Sequence, residues 1–131
     1  MSNPDAVAKY IDRTALSKSL GEIVPYDQGY IVNVGAQYPN KAPVFVGIRM
    51  SNGKLRITDG REGIRQIANI KPNLPRRPGY YLCKAAKMHE VRCDEGEVYA
   101  LLPKGASTKD VIDAIRAVGS ASQNGVLLDR R

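Results

Sequence analysis

Tryptophan is absent from this chain, phenylalanine and histidine occur once each, and cysteine occurs twice in 131 residues. Each scarcity closes off a class of function. The single histidine, His89, has only Cys83 and Cys93 nearby. That set lacks a C-x-x-C pair and a fourth ligand, so neither a metal nor any other cofactor is expected. Two cysteines are too few for a disulfide scaffold and fit free thiols in a reducing compartment, although a bridge can form if they sit on paired strands. There is no glycine-rich phosphate loop and no nucleophile in a recognisable setting, so the chain is not expected to be an enzyme. Metal-dependent nuclease chemistry needs clustered carboxylates, and Asp27, Asp59 and Glu97 are scattered singly. The N-terminus MSNPDAVAKY has no positive region followed by an apolar run, and no window approaches the ~18 apolar residues of a membrane span. A cytoplasmic location with no membrane partner is the expectation.

Acidic residues are also scarce, but only in the middle. Between Lys41 and Lys87 eleven basic residues face two acids, Asp59 and Glu62, which gives that segment +9 while the whole chain carries +7. The excess therefore comes entirely from the central segment, and such a field attracts anionic partners.

With 43% hydrophobic and 25% charged residues the composition is that of an ordinary globular protein, long enough to bury a core without staples. One basic α+β domain over residues 1–131 is expected. Asn3 and Pro4 read as an N-cap and first helical position, and Val7, Tyr10 and Ile11 continue a helical stripe that ends before Gly21. Leu16 lies about half a turn out of phase with Val7 at 100° per residue, so that stripe is imperfect. A turn at Tyr26-Asp27-Gln28-Gly29 precedes a strand over Tyr30 to Val34. In the next strand Ala42, Val44, Val46, Ile48 and Met50 form a period-2 apolar set. Asn52-Gly53 is a strong hairpin signal. It pairs Ser51 with Lys54, Met50 with Leu55, Arg49 with Arg56 and Ile48 with Ile57, so every inward pair is apolar.

Asp59 and Glu62 have the spacing of a capping box for a helix that turns Ile64, Ile67 and Ala68 inward. Three prolines hold KPNLPRRPG extended, with Arg76 and Arg77 on the surface. YYLCKAAKM, HEVRC and EVYALL read as strands, the last two joined by Asp94-Glu95-Gly96. Ser107 and Asp110 repeat the capping spacing before a helix carrying Val111, Ile112, Ile115 and Val118, with Gly119 as its stop. The expected order is α-β-β-β-α-β-β-β-α, a largely antiparallel sheet with the helices packed mainly on one face.

The segments GYIVNV, GKLRITDG opening a helix, GEVYALL and VIDAIRAVGSA, with its AI-x-AV pattern, occur in this order over roughly residues 22 to 122. Together they resemble a family of bacterial and phage proteins catalogued as domain of unknown function 1828. Where that family carries two acids before the glycine of the turn, this chain has only Asp59 before Gly60. The resemblance implies a fold order and a bacterial or phage setting, and no catalytic residue. Residues 5 to 70 also follow the helix, three strands, helix order of a double-stranded-RNA-binding domain, and APVFVGIRMSNGKLRI is similar to its middle hairpin. The lysine cluster that opens the second helix of such domains is replaced here by Arg61 and Arg65.

Like charges directly opposite on paired strands are destabilising by a few tenths to about 1 kcal/mol, and Arg49 faces Arg56. Arg61 and Arg65 repeat the problem four apart on the next helix. A bound anion converts both pairs into forked, charge-assisted contacts. In the competing reading these are solvated surface charges, with a carboxylate from a neighbouring strand, Glu97 or Glu90, lying between the two arginines. The expected binding residues are Arg49, Lys54, Arg56, Arg61, Arg65, Arg76 and Arg77, with Tyr38 as the best-placed exposed aromatic for stacking. The expected partner is nucleic acid, contacted through its phosphates with little sequence preference. The alternative is an acidic protein, met by an interaction module such as a phage or mobile-element inhibitor.

Overall fold

A computed structural model describes residues 5–70 and 79–129. The Asn52-Gly53 signal is where the fold is most simply explained. Both residues have positive φ, 52° and 77°, as a type I′ turn requires. The turn joins β3 (Pro43–Ser51) to β4 (Lys54–Thr58) with Arg49 opposite Arg56 and Ile48 opposite Ile57, the register expected from the apolar alternation. Ahead of it β1 (Ile23–Tyr26) and β2 (Gly29–Gln37) form another hairpin around Asp27 and Gln28. Behind it β5 (Arg92–Asp94) and β6 (Glu97–Pro103) form a third. The six strands are antiparallel throughout, in the order β1-β2-β3-β4-β6-β5.

The described helices are α1 (Asp5–Ala8), α2 (Arg13–Ser19), α3 (Glu62–Ile70), α4 (Tyr80–Met88) and α5 (Thr108–Asp129). They cover the face that carries Val32, Val46, Ile48, Leu55 and Ile57, all buried together with Ile67, Leu82, Ile115 and Val118 in one core. The opposite face of the sheet carries Ile31, Phe45, Gly47 and Arg49, and no described helix packs on it. No described helix is long and apolar enough to cross a membrane.

Several expectations are corrected. The first helix is two, because Val7 and Leu16 cannot share one stripe: the chain breaks at Tyr10–Ile11, and both side chains are then fully buried. Asp12 caps the second piece, accepting from Ala15 N at 3.0 Å. The Asn3-Pro4 start lies outside the described residues. Ile23–Tyr26 adds a strand at the sheet edge, so four strands rather than three separate α2 from α3, which breaks the double-stranded-RNA-binding order. YYLCKAAKM is a helix, not a strand. Its buried residues Leu82, Ala85 and Ala86 follow helical spacing.

Gly119 does not stop the last helix either. Ser107 caps it as expected, its Oγ accepting from Asp110 N at 3.1 Å, but the helix continues for ten residues beyond Gly119. Gly119 sits so close to the sheet that an added Cβ would lie 3.2 Å from Val34 Cγ2. At Gly125 a Cβ would fall 2.6 Å from Leu82 Cδ2 and 2.8 Å from Leu82 Cα. The glycines let α5 approach β2, β3 and α4 closely, and packing overrides their poor helix propensity.

Cys83 on α4 and Cys93 on β5 are joined by a disulfide, with Cα atoms 5.1 Å apart, within the range such a bridge requires. The free-thiol expectation is therefore corrected. The reason is that α4, read as a strand from sequence, is instead a helix lying against β5.

Gly125→Ala sets two effects in opposition. Alanine gains up to about 1 kcal/mol of helix propensity, while overpacking against the Leu82 backbone costs about 1–3 kcal/mol. A lower urea midpoint for the variant is the expected result. A higher one means that α5 does not approach α4 as described.

Candidate binding groove on the open sheet face

The turn from β4 into α3 is built around one buried carboxylate. Asp59 accepts hydrogen bonds from Arg61 N at 2.9 Å, Gly63 N at 3.2 Å, Val98 N at 3.1 Å and Ser122 Oγ at 2.8 Å. Tyr38 OH lies 2.8 Å from the same Ser122 oxygen. The single Ser122 proton points to Asp59, so Tyr38 donates to Ser122. Burial pushes the Asp59 carboxyl above its ordinary value, and the bonds from Ser122 and the backbone pull the other way. Burial also pushes the Tyr38 hydroxyl well above the usual tyrosine range. Tyr38 is 2% exposed, which corrects its reading as a stacking aromatic. Its hydroxyl has an internal partner that the sequence did not reveal.

Next to this turn the arginines divide into two groups. Arg56 is committed: Nε and Nη2 reach the Glu97 carboxylate at 3.0 and 2.6 Å, and the guanidinium lies over the Tyr99 ring at 3.9 Å. Thr58 Oγ1 donates to the same carboxylate at 2.6 Å. The side chains of Arg56 and Glu97 are only 19% and 16% exposed, so water screens this pair weakly. Burial opposes the charge on Glu97. The bonds from Arg56 and Thr58, together with the charges of Arg56 and Arg49, outweigh it and hold the carboxyl below its ordinary value. A strand carboxylate thus sits within the field of both opposed arginines.

Arg65 is committed too, to Glu62 Oε1 at 3.1 Å and Gly60 O at 2.7 Å. The expected pair on one helix face does not form, because α3 begins at Glu62 and Arg61 precedes it with φ of 63°. Arg49, Lys54 and Arg61 make no side-chain hydrogen bond or ion pair among the described residues. Of the seven expected binding residues these three keep free charge, while Arg76 and Arg77 lie outside the described residues.

Arg49, Arg61 and Arg65 border a groove of about 680 Å³ on the open face, within the range of small-ligand clefts. Gly47 lies on its floor between Ile31 and Thr58, its cross-strand neighbours. Phe45 and Tyr26, 40% and 64% exposed, form its aromatic borders. The groove itself was not foreseen. Its signal is the outward register of β3, where alternation predicts polar residues and the chain has Phe45 and Gly47. Asp27, Asp59 and Glu97, expected to be scattered, are all among the residues lining this groove. Asp59 and Glu97 already accept from internal donors, and no group of three His, Cys, Asp or Glu residues suited to a metal occurs among the described residues. His89 Nε2 lies 2.9 Å from Asn124 Nδ2.

Two predictions follow from these charges. The folded-state value for Glu97 is lowered, so its stabilisation is present above its ordinary 4.5 and is lost as pH falls through the lowered value. Asp59 is raised and works in the opposite sense, favouring the fold when protonated. Urea midpoints at pH 7 and pH 3 should therefore fall less on acidification in Glu97→Gln than in the unmodified protein, and an equal fall rejects the assignment. Secondly, a left-handed conformation costs an L-residue about 1–2 kcal/mol, partly offset by glycine's greater freedom when unfolded. Arg61→Gly should raise stability by up to about 1 kcal/mol, read from the same denaturation curves.

No family model, curated protein or solved structure matches this chain. The resemblance to domain of unknown function 1828 accordingly rests on its four short motifs alone.

Proposed function

We propose that this is a small, non-enzymatic binding protein that contacts the phosphate backbone of nucleic acid with the uncommitted cations Arg49, Arg61 and Lys54. One observation carries the reading. Arg49 and Arg61 border the same groove without a side-chain hydrogen bond or ion pair to any described residue, while Arg56 and Arg65 beside them are matched to carboxylates. Arg61 is moreover held in a backbone conformation that costs stability, which argues that its side chain has a use. Such contacts are electrostatic and tolerant of sequence. Bridged cysteines are common in oxidising compartments, so the cysteines no longer argue for the cytoplasm. The proposed cytoplasmic site of action rests on polynucleotide as the ligand.

An acidic protein partner is the second reading. Exposed aromatics beside arginine, here Phe45, Tyr26 and Arg49, are residue types that dominate protein interfaces.

The readings separate on salt. Affinity for a polynucleotide should fall linearly on a log–log plot against salt, with a slope of about −0.7 per contacted phosphate for single strands and about −0.9 for duplex. In the double variant Arg49→Ala plus Arg61→Ala the slope should shrink by about 1.4 to 1.8. An unchanged slope removes these residues from the site, and absence of polynucleotide binding at low salt removes the function.

A further inference from the structure

We infer that the groove takes single-stranded nucleic acid, with a base seated over Gly47 against Phe45 and the flanking phosphates on Arg49 and Arg61. This deepens the proposed function and depends on it. Along β3 the residues Phe45, Gly47 and Arg49 alternate onto the open face, so the Cα atoms of an aromatic residue and an arginine stand about 13 Å apart with a residue lacking a side chain between them. Ile31 and Thr58 flank Gly47 on the neighbouring strands and leave a hollow rather than a flat sheet.

The shape discriminates between strands. A duplex keeps the faces of its bases stacked inside and offers phosphates at its surface, so it would meet the cations but leave the recessed apolar floor unfilled. A single strand has free π-faces for Phe45 and phosphates at intervals along the same chain. The free cations lie at the border of the hollow and the exposed aromatic lines it, as a ligand with a planar apolar group and a flanking negative charge requires. The acids do not cancel this charge: Glu97 and Glu62 are matched to Arg56 and Arg65, Asp59 accepts from internal donors, and Asp27 is left as one lining acid against Arg49 and Arg61.

The glycine supplies the test. An added Cβ at Gly47 would meet nothing closer than Thr58 Cγ2 at 3.5 Å, an ordinary contact. The Cβ of Gly47→Val is thus accommodated while the γ-methyls fill the hollow, and the urea midpoint and far-ultraviolet circular dichroism establish that the variant is folded before its binding is read. Binding of a fluorescein-labelled 12-nucleotide DNA is measured by anisotropy, as a single strand and after annealing to its complement. The single strand should bind more tightly than the duplex, and Gly47→Val should weaken it at least tenfold. Phe45→Ala, at an exposed position, should weaken it about 5- to 150-fold, the range of one lost stacking contact, and Phe45→Trp should restore it.

If strand and duplex bind alike and both Gly47→Val and Phe45→Ala are neutral, this inference fails while backbone contact by the arginines stands. If neither DNA binds at low salt, both fail. Binding of polyglutamate that is lost in Gly47→Val, with no preference for single-stranded DNA, assigns the groove to a protein partner and overturns the inference. Should Gly47→Val lose its fold, the Phe45 series decides alone.

Discussion

Much of the molecule's organisation depends on a carboxylate kept away from bulk water. Asp59 joins the end of β4, the start of α3, the backbone of β6 and the middle of α5 through four hydrogen bonds. Removing it would leave several buried donors without acceptors, each at about 1–3 kcal/mol. The same centre restricts its neighbours. A Cβ on Gly63 would stand 2.6 Å from Ser122 Oγ, so glycine at 63 and a small hydroxyl residue at 122 follow from one requirement. It also determines what happens on the far side of the sheet. Arg61 has its backbone N–H bound to Asp59, and Glu97 directly precedes Val98, whose N–H is bound to the same carboxylate.

Glu97 then determines which cations are free. Two guanidinium groups face each other across β3 and β4 because the turn chemistry leaves no other register. The carboxylate accepts two bonds from one of them and lies within the field of the other. Broad cationic character becomes selective: Arg56 fixes the sheet surface by stacking on Tyr99 and bonding Glu97, and Arg49 remains available. The remaining charge borders a recess instead of spreading over a flat surface. Contact through such a border depends on the shape of the ligand as well as its charge.

The legible parts of the sequence were those in which a local rule and the global fold agree. Asn52-Gly53, flanked by strict apolar alternation, specified a turn and a register together, and Ser107 marked a helix start. Local rules failed where packing decided. Tyr80, Tyr81 and Cys83 suggested a strand, yet Leu82, Ala85 and Ala86 at three- and four-residue spacing were the helical sign, and burial follows them. Gly119 looked like a terminator because glycine usually ends helices, whereas at Gly119 and Gly125 the missing Cβ admits the sheet and Leu82. The Arg56–Glu97 pair was legible only as a choice between Glu97 and Glu90. It depends on β6 pairing with β4 across an intervening α3, α4 and β5, and no short-range pattern encodes that crossover.

A sheet exposes two sorts of unpaired surface, its edges and its faces. At one edge β1 has four residues and includes Pro25, which cannot donate to a further strand. At the other β5 has three residues and is tied to α4 by the Cys83–Cys93 bridge. Short, proline-bearing or anchored edges discourage addition of another strand. One face is closed by the helices, so the face of Phe45, Gly47 and Arg49 is where the sheet remains open. On a face that served only to meet water, β3 would need polar side chains at its outward positions. A ring and a glycine there forgo both solvation and cross-strand packing, and that combination is consistent with a surface shaped for a ligand.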